Sequence, residues 1–132
     1  MTYEFHLICP EDPRRGRFAY ASEQFENKFT VVAVKDTEHL VLGFDGDDLA
    51  LLTAPHRVPG EELGRIYGSE TAAQLRGDAW VSEISCPNDK DTAEAVRSFL
   101  MITVVGTRGL LMDPQSNELI NADWGKRAAQ GT

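Results

Sequence analysis

Phe5-His6-Leu7-Ile8-Cys9-Pro10-Glu11-Asp12 is answered seventy-odd residues on by Ser82-Glu83-Ile84-Ser85-Cys86-Pro87-Asn88-Asp89. Each stretch is a strand-like run that stops at Cys-Pro, because proline has no N–H to give a sheet ladder. Each then passes through acid or amide residues toward a helix. The echo predicts a core of two similar strand–loop–helix halves whose strands occupy equivalent places. A ferredoxin-like split βαβ arrangement would set these two strands side by side and parallel in the middle of a sheet.

Working outward, Tyr3, Phe5 and Leu7 alternate with Glu4 and His6, the period of a half-buried strand. Residues 10–17 form a polar loop with two prolines, and Phe18 to Asn27 has helical spacing. Phe29 to Lys35, His39 to Phe44 and Leu49 to Thr53 read as three strands, rich in β-branched and apolar residues. Asp45-Gly46 between the last two predicts a hairpin, since glycine accepts the positive φ of a type I′ turn. Ala54 to Gly60 holds Pro55 and Pro59 and reads as a connection. Glu61 to Tyr67 and Ser69 to Leu75 follow as short helices, the second N-capped by Ser69 and ended by Gly77. Ala79 to Cys86 is the echoed strand. The clearest helix starts at Asp91, where Asp91 and Glu94 resemble a capping box, and carries an inner stripe of Val96, Phe99, Leu100 and Thr103. Gly109 to Met112 is a last full strand, and Leu119-Ile120 pairs back on it. The predicted fold is α+β: a mixed or antiparallel sheet, two main helices on one face, and an extra hairpin at one edge. Residues 1–120 make one domain and 121–132 a loosely held tail.

The chain has 132 residues, with 42% hydrophobic and 26% charged, the balance of an ordinary globular domain. Thirteen basic against 21 acidic residues leave a net charge of −8. Such a chain repels nucleic acid unless its bases are segregated, and the one basic cluster, Arg14, Arg15 and Arg17, is too small. A basic partner suits it better. No basic flank and apolar stretch mark a signal peptide. The longest apolar run, Phe99 to Val105, is too short to span a membrane. These features predict a cytoplasmic protein, in which Cys9 and Cys86 would stay thiols.

The order of features resembles an uncharacterised family of bacterial proteins, a domain of unknown function. The matching pieces are the strand through Cys9, the hairpin 39–53 and Ala54-Pro55-His56-Arg57-Val58-Pro59. Trp80 to Cys86, the helix from Asp91 and Gly109-Leu110-Leu111-Met112-Asp113-Pro114-Gln115 complete the pattern, with Met112 where an aromatic is more usual. The family supplies no catalytic residues to carry over. Small acidic single-domain bacterial proteins of this general look include immunity proteins that neutralise a cognate toxin.

Candidate chemistry is sparse. His6, His39 and His56 have no metal-ligand spacing, so no metal or cofactor is expected. Cys86 precedes the best helix, whose N-terminus can stabilise a thiolate, and Cys9 is placed similarly. Both read better as small buried core residues. Asp45, Asp47 and Asp48 have some calcium-loop flavour but lack the full ligand pattern; a solvated turn accounts for them. Trp124, in the polar tail, is either a partner anchor or folded back on the domain.

Two functions follow. The first is an acidic binding protein that occludes a basic toxin domain, with Asp45, Asp47, Asp48, Glu61, Glu62 and Trp124 as contact candidates and no catalytic residues. The second is a small enzyme or ligand-binding domain with a pocket near the Cys9 and Cys86 corners. A weaker third is an oligomeric module whose strand edge pairs two copies.

Overall fold

The computed structural model describes residues 2–115 and, as backbone, 118–121. Eight strands form one sheet: β1 (Thr2–Cys9), β2 (Phe29–Ala33), β3 (Leu40–Phe44), β4 (Asp47–Leu52), β5 (His56–Val58), β6 (Ala79–Pro87), β7 (Leu110–Asp113) and β8 (Glu118–Asn121). The helices are α1 (Arg17–Gln24), α2 (Gly60–Tyr67), α3 (Ser69–Leu75) and α4 (Lys90–Val104). The sheet order is β2-β3-β4-β6-β1-β7-β8, and β5 pairs β6. Every adjacent pair is antiparallel. The α+β class therefore holds.

The two echoed strands are neighbours, but they are antiparallel, with Thr2 opposite Pro87 and Cys9 opposite Trp80. This corrects the expected parallel pairing, and the reason lies in α2 and α3. A Cβ on Gly60 would sit 3.2 Å from the Gly77 carbonyl, and the Gly60 N–H donates to Asp78 Oδ1 at 3.1 Å. The helix pair thus closes on itself and returns the chain to the end of the sheet where β5 left it. β6 must then run back against β5. A split βαβ is still present. β6 and β7 both run against β1, so they are parallel to each other, joined by α4 with β1 between them.

The alternation of β1 explains its central place. Phe5, Leu7 and Cys9 face the layer of α1 and α4, where Phe18, Val96, Phe99, Leu100 and Val104 bury them. Phe99 and Phe29 have ring centroids 5.0 Å apart, and Phe29 also touches Phe25 at 4.9 Å and Phe44 at 4.8 Å. Ile8 points the other way, into a second cluster with Val58, Leu63, Leu75, Ala79, Val81 and Leu110. The two main helices share one face, as expected, and α2 with α3 covers part of the opposite face.

Local signals fared unevenly. Asp45 (φ 53) and Gly46 (φ 91) are the two positive-φ residues of the expected hairpin turn. A bulge between Leu42 and Gly43 shifts its register. The connection 54–60 contains β5, a three-residue strand set between Pro55 and Pro59. The long helix is capped by Asp89 rather than Asp91: the Asp89 carboxylate accepts from the Thr92 N–H at 3.1 Å and the Thr92 hydroxyl at 2.8 Å. α3 is preceded by Gly68 with no side-chain cap from Ser69, and Arg76 in the left-handed region ends it before Gly77. Leu119 and Ile120 do pair back on β7, as expected.

Candidate functional site

α2 and α3 cover only the end of their sheet face near Ala79, Ile8 and Leu110. Among the described residues, no helix covers the rest of that face. One straight row crosses it by register: Val32 opposite Val41, Val41 opposite Leu51, Leu51 opposite Ser85, and Ser85 opposite Glu4. Val32 is 57% exposed and Leu51 47%. A row of β-branched and leucine side chains on an open sheet is an apolar patch, the kind that marks an interaction surface.

Carboxylates rim this row. On one side the bulge turns Asp48 onto the same face, where its Oδ1 lies 3.9 Å from the position a Gly43 Cβ would take. That site is tight, with Thr30 Oγ1 at 3.0 Å, and glycine keeps it open. On the other side stand Glu4 and Glu83. They edge a cleft of about 160 Å³ shared with His6, Leu51, Thr53 and Ser85. Among the described residues, Asp48, Glu4 and Glu83 are in no ion pair.

His6 and Tyr67 mark the border between the open and covered halves. His6 Nδ1 and the Tyr67 hydroxyl are 2.8 Å apart. Burial, and then the Glu83 carboxylate, push the Tyr67 phenol up to about 12. The phenol therefore stays protonated. His6 and Glu83 lie directly opposite across the β1–β6 pair.

The structure splits the acidic contact candidates. Asp45, Asp47 and Asp48 stand together at the β3–β4 turn. Glu61 and Glu62 lie in the first turn of α2, at the other end of the sheet. Chain direction shows this: Leu51 is opposite Ser85, while β5 continues along β6 until Val58 meets Ala79, and α2 starts just beyond. Glu62 already pairs with Arg65 at 3.2 Å, an exposed bridge of little worth. Trp124 lies outside the described residues.

The two thiols are also apart. Cys9 is opposite Trp80 and Cys86 is opposite Tyr3. Six positions along a strand pair separate them, about 20 Å. The expected single pocket at both Cys-Pro corners is therefore corrected to two clefts at opposite ends. One, of about 400 Å³, touches Cys9, Arg17 and Arg108; the other, of about 470 Å³, is lined by Tyr3, Phe5, Lys90 and Arg97. Burial pushes the Cys9 thiol up to about 12, against a smaller opposing pull from Arg17. Burial raises Cys86 too. Neither is poised as a thiolate. Arg17 holds the fold together beside Cys9. Its guanidinium donates to the carbonyls of Thr103 at 2.7 Å and Val105 at 2.6 Å, closing the C-terminus of α4.

Among the described residues, no group of three or more His, Cys, Asp or Glu side chains is arranged to hold a metal ion. No helix there is long and apolar enough to cross a membrane. The open row itself was missed by sequence reading. Its signal was present: Val31-Val32 and Leu49 to Leu52 place apolar residues on both faces of strands, one face more than a single helical layer buries. Comparison of the chain with models of known families, with curated proteins and with solved structures gives no match.

Proposed function

We propose that the protein is a binding module that takes a basic protein partner on the open half of its sheet. One observation carries this reading: the row Val32–Val41–Leu51, with Asp48 on one flank and Glu83 and Glu4 on the other. An apolar centre inside a charged rim is the anatomy of a protein interface. The centre supplies affinity, and the rim supplies speed of encounter and choice of partner. The net charge of −8 favours the same partner at long range. Its most concrete form is an immunity protein of the bacterial cytoplasm, which neutralises a basic toxin domain by occlusion and not by catalysis.

The test starts with co-purification from the native host and mass spectrometry of what is retained. The partner is then titrated against the variant Asp45→Lys/Asp47→Lys/Asp48→Lys. The reading predicts that association slows by about tenfold or more and loses part of its salt dependence. Unchanged association kinetics would remove the hairpin from the interface.

A further inference from the structure

β2 is an outermost strand, five residues long. Its ladder to β3 is bracketed by two hydrogen bonds: Asp45 N–H to the Lys28 carbonyl and Val34 N–H to the His39 carbonyl, both at 2.9 Å. In an antiparallel pair, alternate residues turn their backbone groups the other way. Lys28, Thr30, Val32 and Val34 thus face β3, while Phe29, Val31 and Ala33 face outward. The Ser22 hydroxyl donates to the outward carbonyl of Phe29. The N–H and C=O groups of Val31 and Ala33 are left at the edge. Beside them, between β2 and α1, runs a groove of about 650 Å³ lined by Phe18, Ala19, Phe29, Val31 and Leu40.

We infer that this edge pairs with the same edge of a second copy, antiparallel, about a two-fold axis through Val32. Identical antiparallel edges are self-complementary, each giving what the other accepts. The register follows from named residues. With the axis at Val32, Val31 meets the second copy's Ala33, and the ladder uses only backbone groups that nothing among the described residues caps. An axis at Val31 would need the Phe29 carbonyl, which Ser22 already holds. The Val32 axis leaves that carbonyl out of the ladder. It also brings Val32, 57% exposed, against its own copy in a non-hydrogen-bonded pair, where side chains approach most closely. On the helix-layer side, Val31 and Ala33 of each copy run along the other's groove.

The pairing has a consequence for the open face. The row Leu51–Val41–Val32 of one copy meets its mate at the axis, and one apolar track crosses both copies. The pairing stands without a basic partner, so the two readings fail separately.

The test is sedimentation velocity on the full chain alone, over about a hundredfold in concentration up to ~0.5 mM, where even weak interfaces associate. The inference predicts a monomer–dimer equilibrium. Val32→Lys puts like charges at the axis and raises the dissociation constant about tenfold or more. Val31→Pro removes an outward N–H from the edge and weakens the dimer as well. Thermal melts of the exposed-site variants check that the fold is kept. A monomer at every concentration overturns the inference. A dimer indifferent to Val32→Lys and to Val31→Pro overturns it as well.

Discussion

Cys9 and Cys86 invite a nucleophile reading, and burial disarms both. Each sits at the end of a strand, on the side that faces α1 and α4, where water is excluded. Their place before helix-like segments was legible, but their depth and their separation depend on register, which no local pattern records. Native protein is expected to react with a thiol reagent far more slowly than free cysteine, and both thiols to react once urea unfolds it. Rapid labelling of Cys86 in native protein would contradict this. The same burial has a pH signature. Cys9 titrates near 9.0 unfolded and about 12 folded, and Tyr67 near 10.0 and about 12. The native state holds these protons longer, so their stabilising contribution is full below pH 9.0 and is lost as pH rises toward 12. Urea midpoints should fall across that window. At the acid end the sign reverses. The Arg14 guanidinium, hydrogen-bonded to Asp12, holds that carboxyl below its ordinary 3.8. That contribution is present above 3.8 and lost as pH falls through the lowered value.

The elements were legible wherever a local rule decides them. Asp45-Gly46 needs positive φ, so the hairpin could be read from two residues. The stripe of α4 could be read from its period. Its start could not, because Asp89 and Asp91 are both good caps. Only the extended conformation of Asp89 (φ −118, ψ 128) aims a carboxylate at Thr92. Asp89→Ala should cost about 1 kcal/mol in urea unfolding, the usual worth of an N-cap. Asp91→Ala should cost much less, and equal losses would show that the helix starts elsewhere. β5 was hidden because its two flanking prolines signal a connection, although three residues suffice for a ladder. The direction of β6 was hidden for a different reason. It depends on Gly60 meeting Gly77, seventeen residues apart in the chain (77 − 60), and no window of sequence spans that closure.

At the scale of the whole molecule, α1 and α4 cover most of one face of the sheet, and among the described residues the other is half covered. Composition announced the acidity but not its distribution. The structure puts Asp45, Asp47 and Asp48 at one end of the sheet and Glu61 and Glu62 at the other. It adds Glu4 and Glu83, whose role comes from standing beside Leu51 across strands distant in sequence. The open row is the place where the fold leaves apolar surface unburied and rims it with carboxylates. The central claim is that a basic partner binds there. The most direct measurement is calorimetric titration of the co-purified partner against Leu51→Arg, with Ile66→Arg as a control on the exposed surface of α2. The account predicts that Leu51→Arg weakens binding by about a hundredfold or more, as loss of an interface centre does, while Ile66→Arg leaves it unchanged. Equal affinity for Leu51→Arg and the unaltered chain would contradict it.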